Sequence, residues 1–278
     1  MRAERVAEAS EFLAATAALR ASEPVMTNVL GTVARSVLEG RRYASCWWWL
    51  VRDDAGDVVG CAVRTAPWNL AVSPMPLEVA TTLGLAVAQA DPELPGVTGE
   101  RAVAEALLAG YASPRTAVTT IDEVVHVLAE LRPPAGVPGA VRRASWDEVE
   151  VLVEWHAQFA ADAGLPPRDL LASVEQRLRT AGLWWWVDGG ERVSMAGHVA
   201  PLETPGGAVG RVGPVFTPER FRRRGYGAAV TAAVVEQLLP RCATVMLYAD
   251  ASNPTSNGVY ERLGFRRVAQ IVELNFAP

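Results

Sequence analysis

The stretch Val215-Phe-Thr-Pro-Glu-Arg-Phe-Arg-Arg-Arg-Gly-Tyr-Gly-Ala-Ala-Val230 decides the fold. Its apolar start reads as the end of a strand, its basic middle as a loop, and the run from Ala228 through Val235 as a packed helix. Gly225 and Gly227 let the backbone approach a ligand closely, and a helix start turns free N–H groups toward an anion. A strand that ends in such a loop and opens a helix is an arrangement for holding phosphate.

A second block lies further on, Ala249-Asp-Ala-Ser-Asn-Pro-Thr-Ser-Asn-Gly-Val-Tyr-Glu-Arg-Leu-Gly-Phe265. The spacing Arg222-x-x-Gly225-x-Gly227 resembles the R/Q-x-x-G-x-G/A signature of the GNAT N-acetyltransferase superfamily. The second block resembles that family's N-P-x-S-x-x-x-Y-x-x-x-G-F/Y ending, in the right order and at the right separation. The resemblance implies an α/β (α+β) fold, a mixed and mostly antiparallel twisted sheet flanked by helices. It also implies acetyl-CoA as co-substrate, with no metal.

Carried over residue by residue, the resemblance gives Val215, Phe216 and Thr217 the acetyl and pantetheine portion, through strand-like backbone bonds. The backbone N–H groups of Arg223, Arg224, Gly225, Tyr226, Gly227 and Ala228 would hold the pyrophosphate. Arg222 would shape or charge the loop, while Arg220, Arg223 and Arg224 either stay solvated or reach the adenosine phosphates. Tyr260 takes the place of the family's general acid, near the coenzyme sulfur. Asn253 would bond the pantetheine or cap a helix that has Pro254 at its first position.

The general base is harder to place. Many family members use an acid on the fourth strand, and this chain reads Val209-Gly-Arg-Val-Gly-Pro-Val215 there. Glu154, His156, His198 and Glu203 are the candidates, with His198 taken into the catalytic set for its residue type. A water chain to solvent is the alternative.

The chain also repeats itself. Cys46-Trp-Trp-Trp-Leu-Val51 precedes Asp53-Asp-Ala-Gly56, and Leu183-Trp-Trp-Trp-Val187 precedes Asp188-Gly-Gly190, each reading as strand, turn and strand. Helical stretches come before both runs, over 6–19 and 25–38 in the first set and 146–161 and 168–180 in the second. Consecutive strand residues point to alternate faces, so each tryptophan run is expected to pack into core on both sides of a sheet. One or two of Trp184, Trp185 and Trp186, or Trp155, could instead line an acceptor pocket.

Two tandem GNAT-like domains are therefore expected, 1–135 and 136–278, joined near Arg132-Pro-Pro-Ala-Gly-Val-Pro-Gly139. The first offers Asn69-Leu-Ala-Val-Ser-Pro-Met-Pro-Leu-Glu-Val-Ala80 where the second has its arginine–glycine loop. With no arginine or closely spaced glycines, that loop is expected to hold no pyrophosphate, which leaves the coenzyme A site to the second domain. In the second, strands are expected over 139–143, 183–188, 192–200, 207–216, 243–249 and 266–275, with further helices over 225–239 and 254–263. Pro214 suits a bulged or splayed strand.

At 278 residues the chain has room for two cores, and its net charge of −5 disfavours a nucleic-acid partner held by phosphate neutralisation. All 26 basic residues are arginine, which reads as codon bias. The three cysteines, Cys46, Cys61 and Cys242, have no metal-ligand spacing and fit a reducing, cytoplasmic compartment. Met1 to Leu19 reads as an amphipathic helix and not a signal peptide, and no apolar run suits a membrane span.

The expected activity is acetyl transfer from acetyl-CoA to a primary amine of a small molecule or peptide, by direct attack on the thioester, in a monomer or loose homodimer. The alternative is an acyl-CoA binding or sensing protein without catalysis.

Overall fold

The computed structural model of the chain describes residues 1–165 and 169–277. Arg168, where the sequence places the start of a helix, and Pro278 lie outside the described residues. The first pass of the chain forms β1 (Arg2–Val6), α1 (Ala9–Ala15), α2 (Ala17–Ser22), α3 (Asn28–Leu38), β2 (Cys46–Arg52), β3 (Val58–Thr65), β4 (Leu70–Val72), α4 (Leu77–Ala90), β5 (Gly96–Gly99), α5 (Arg101–Tyr111) and β6 (Ala117–Leu128). The second forms β7 (Ala140–Arg143), α6 (Val149–Asp162), α7 (Leu170–Arg179), β8 (Leu183–Asp188), β9 (Glu191–His198), β10 (Val209–Phe216), α8 (Tyr226–Leu238), β11 (Thr244–Asp250), α9 (Pro254–Arg262) and β12 (Phe265–Phe276). The element order is the same both times, with α1 and α2 together standing where α6 stands in the second pass.

The residues group into two compact units. Unit 1 is Met1–Val124 with Leu202–Gly207 and Ala269–Pro278, and unit 2 is Val125–Pro201 with Ala208–Val268. The units are not contiguous in sequence: Leu202–Gly207 and the later part of β12 group with unit 1, and the boundary after Val124 falls within β6.

In unit 1, β1 pairs with β2, β2 with β3 and β3 with β4, all antiparallel; β4 and β5 pair in parallel, and Val272–Asn275 of β12 run antiparallel to β5. Trp48 and Leu50 point to one face, where they pack with Phe12 and Leu30 from α1 and α3. Trp49 and Val51 point to the other, against Leu83 and Leu107 from α4 and α5. The period of two along a strand thus gives each face its own helical layer.

One expectation fails here. Arg2–Val6 form a strand, and α1 begins only at Ala9. Five residues of β1 pair with β2, and Arg52 meets Glu4 at 2.8 Å. These partners lie about fifty residues away along the chain, so a local helical pattern carries no sign of them.

In unit 2, β7 pairs with β8, β8 with β9 and β9 with β10, all antiparallel, and β10 pairs with β11 in parallel. Trp185 is buried among α6 and α7 residues, with its ring edge-on to Trp155 at 5.0 Å. Trp184 and Trp186 border the opposite layer, where α8 packs. That helix is apolar nearly all round and is buried nearly all round, as its Ala/Val composition requires.

The buried carboxylate of Glu148 ties the start of α6 to the sheet. It accepts from Arg142, Arg192, the Ser145 backbone and the Trp185 indole, at 2.6 to 3.0 Å. Burial by itself would raise its pKa, but these donors outweigh burial and hold it far below the usual carboxylate range.

Candidate active site

Strand β10 sets the site. Its parallel pairing with β11 runs from Val209↔Thr244 to Val212↔Leu247 and stops, although β10 continues to Phe216 and β11 to Asp250. Pairing with β9 slips between Val212 and Val215 and then resumes at Val215↔Ala196 and Phe216↔Met195. Pro214 brings no N–H to either ladder, and the slip falls on it. Beyond Val212 the backbone of β10 therefore has β9 pairing at Val215 and Phe216 on one side and, among the described residues, no strand partner on the side of β11.

Beyond β10 the chain turns through residues 217–225 into α8. The N–H of Ala229 is the first to find a helical acceptor, the carbonyl of Gly225, at 3.0 Å. The six preceding N–H groups, from Arg223 through Ala228, have no acceptor among the described residues. A run of unpaired donors at the positive end of a helix is a binding surface for an anion.

The glycines allow it. Gly225 sits at φ +84°, and a Cβ there would lie 2.9 Å from a methyl of Val137. A Cβ on Gly227 would press on the Thr217 hydroxyl at 3.2 Å.

Two latches hold the loop. Arg222 donates from Nε to the Thr217 carbonyl at 3.0 Å and pairs with Asp162 on α6. The Tyr226 hydroxyl, with its ring buried, donates to Asp188 at 2.5 Å. Arg222 thus shapes the loop, while Arg223 and Arg224 are exposed. Thr217 is itself fixed: Ser194 donates to the Phe216 carbonyl at 3.0 Å, so the Thr217 hydroxyl is the donor to Ser194 at 2.8 Å.

Tyr260 lies on α9 and borders the same apolar cluster as Val215 and Ala228. Burial pushes its phenol up to about 12, so it stays protonated at neutral pH. No hydrogen-bond partner of its hydroxyl is found among the described residues. Asn253 caps α9, accepting from the Ser256 N–H at 3.0 Å, with Pro254 at the first helical position. Of the two roles read for it, the structure shows the cap.

The base candidates are scattered. His198 is fully buried at the end of β9; its Nδ1–H donates to the Val199 carbonyl at 2.9 Å, which leaves Nε2 to accept from Arg241 at 3.3 Å. Burial lowers its pKa, and the charges of Arg241 and Arg177 lower it further, against the Val199 bond. His156 is buried in α6 with Nδ1–H on the Leu152 carbonyl, and burial with the nearby Arg177 brings its pKa down to about 4. Glu203 falls in the segment that groups with unit 1. Glu154 borders an open pocket of about 680 Å³ together with Trp155, Gln158 and Arg220.

Several contributors carry no local sequence signal. Asp162 and Asp188 look like solvated acids at a helix end and a turn, and Ser194 looks like filler in a strand. His126 and Asn257 meet at 2.9 Å, across 131 residues of chain.

Among the described residues no group of three or more His, Cys, Asp or Glu is placed to hold a metal, and no helix is long and apolar enough to cross a membrane.

Residues 197–273 match the family described as FR47-like protein. No curated protein matches the chain. Among solved structures it is similar to an acetyltransferase from the GNAT family of Colwellia psychrerythraea, with 11% identity, 100% of both chains covered and a TM-score of 0.64. It is similar to a GCN5-related N-acetyltransferase from Sphaerobacter thermophilus, with 18% identity over 98% of this chain and 94% of that one and a TM-score of 0.63. It is also similar to a tandem GNAT protein from the clavulanic acid biosynthesis pathway, with 15% identity over 100% and 99% of the two chains and a TM-score of 0.59. The fold is like that of these solved structures, with one element order run through twice in the chain and the arginine–glycine motif in the second pass alone.

Proposed function

We propose that unit 2 binds acetyl-CoA and transfers its acetyl group to a primary amine of a small molecule or peptide. The observation that carries this reading is the row of six backbone N–H groups, Arg223 to Ala228, without acceptors at the start of α8 and directly beyond the diverging end of β10. A pyrophosphate supplies the acceptors these donors lack. The edge of β10 beyond Val212, from which β11 diverges, supplies ladder bonds at Val215 to Thr217 for an extended amide-bearing arm. The neighbours' printed names, acetyltransferases in each case, support the same class of reaction.

In this reading the amine nitrogen bonds to the thioester carbon, the carbon–sulfur bond breaks, and the sulfur leaves with the electron pair. Tyr260 donates a hydrogen bond or its proton to that sulfur; its raised pKa keeps the proton available. The proton lost by the amine leaves through water. His198 serves this chemistry poorly, because its one free lone pair faces the Arg241 guanidinium. We assign the first repeat, 1–135, a supporting role and the second, 136–278, the catalytic one, in a cytoplasmic monomer or loose homodimer.

The test is isothermal titration with acetyl-CoA, followed on the same sample by thiol release over a panel of amines and short peptides. One site per chain with release for some amine supports the transferase. Binding with no release across the panel favours the sensing alternative, which the absence of an acid on β10 also favours. Absence of binding sinks both.

A further inference from the structure

We propose that His126, contributed by the last strand of the first repeat, is a positioning residue for Tyr260. This inference rests on the reading of unit 2 as an acyltransferase in which Tyr260 is the proton donor.

Helix α9 has no buried residue and is not strongly apolar, so packing alone holds it weakly. Its attachment is polar instead. The Asn257 amide donates from Nδ2 to the carbonyl of Asp250, the last residue of β11, and to the carbonyl of Asn253, the cap of α9, both at 2.8 Å. With both amide hydrogens spent on carbonyls, Oδ1 is left to accept, and it does so from His126 Nε2 at 2.9 Å. His126 is therefore the Nε2–H tautomer when neutral.

Asn257 and Tyr260 are three residues apart and share one face of α9. His126 reaches both, bonding the first and setting its ring 6.0 Å from the ring of the second, at 58°. The other flank of Tyr260 is closed by Phe265, at 6.1 Å. His126 is 1% exposed, and its Nδ1 has no partner among the described residues. A buried acceptor left unpaired opposes folding, so apolar packing would suit this position better if packing were its whole role. What an apolar residue cannot do is anchor Asn257 while walling Tyr260.

His126 lies outside the FR47-like match, in β6. It belongs to the part of β6 that groups with unit 2, as Asn257 and Tyr260 do.

A double-mutant cycle tests this on the full chain. His126→Phe keeps a ring but removes the donor, and is expected to lower kcat about tenfold while the calorimetric Kd for acetyl-CoA stays within about twofold. In a Tyr260→Phe background the same change is expected to cause no further loss. His126→Gln, whose amide can donate to Asn257, is expected to recover kcat to within about threefold of the parent. An equal loss in both backgrounds, a Kd that follows kcat, or an unchanged kcat overturns the proposal.

If the parent chain releases no thiol with any amine, the proposed function falls and positioning is read by nitrogen NMR of the three histidines. An Nε2-protonated His126, with Tyr260 ring signals displaced in His126→Gln, supports the placement. The opposite tautomer, or unmoved Tyr260 signals, overturns it.

Discussion

The loop after β4 and the loop after β10 hold the same place in the two passes of the chain, each leading from a strand that pairs in parallel with its successor into a helix. Their donor inventories differ. After β10, six consecutive N–H groups have no acceptor among the described residues and three exposed arginines stand beside them, Arg222 to Arg224. After β4, Pro74 and Pro76 have no N–H, Ser73 donates to the Cys61 carbonyl, and both Val79 and Ala80 donate to the Pro76 carbonyl. Glu78 then adds a carboxylate to the first turn of α4, where the helix dipole already favours one. One backbone plan thus leaves six consecutive N–H groups without acceptors in one copy and only three, at Met75, Leu77 and Glu78, in the other among the described residues, and the difference lies in a handful of residues.

The comparison breaks most easily at Gly225. Valine there must adopt φ +84° and press on Val137, so Gly225→Val is expected to weaken acetyl-CoA binding at least about 300-fold by calorimetry. Affinity retained in this variant would mean that the cradle is not where acetyl-CoA sits.

Tyr260→Phe separates binding from chemistry. It is expected to reduce kcat about 100-fold while leaving the Kd for acetyl-CoA within about twofold. Because burial raises the Tyr260 pKa to about 12, the donor keeps its proton as pH rises to 10, and no loss of kcat below that pH should trace to this group. A Tyr260-dependent fall near neutral pH would contradict the assignment.

The scaffold under the cradle rests on Glu148, and Glu148→Gln is expected to destabilise the chain by about 2 kcal/mol in denaturant melts. The folded pKa of Glu148 lies below its unfolded value, so its contribution is present above the ordinary carboxylate range and is lost progressively as pH falls from that range down through the lowered folded pKa. The variant should accordingly lose less stability than the parent on acidification.

Ala228→Glu gives the second loop the feature that Glu78 gives the first. Its expected effect on acetyl-CoA affinity is a loss of about tenfold, shrinking as salt is added. The reverse experiment has the smallest expected effect. Pro76→Gly with Glu78→Gln restores one N–H and removes one charge, which still leaves no arginines, and calorimetry should continue to read one site per chain. A stoichiometry of two would show that the first loop lies closer to function than its sequence suggests.

Much of this was legible residue by residue. The R-x-x-G-x-G spacing located the glycine turn and the unpaired N–H groups that open α8, because glycine conformational freedom and helix N–H groups are local properties. The tryptophan runs marked equivalent strands, and Pro214 marked the irregular one, because alternation and a missing N–H are also local. The quoted block from Ala249 to Phe265 contained Asn257, yet nothing in its neighbourhood told that its amide would meet a histidine 131 residues earlier. His198 looked like a base from its residue type alone, and only its surroundings show both nitrogens engaged.

From the chain of letters alone came the repeated element order, the asymmetry between the two loops and the position of Tyr260, since each depends on spacing within one or two dozen residues. Long-range pairing settled the rest: the strand at Arg2–Val6, the passage of β6 and β12 from one unit into the other, the latches from Asp162 and Asp188, and the placement of His126. Those features depend on which distant segments become neighbours, a choice made by the burial of whole faces that no local pattern encodes.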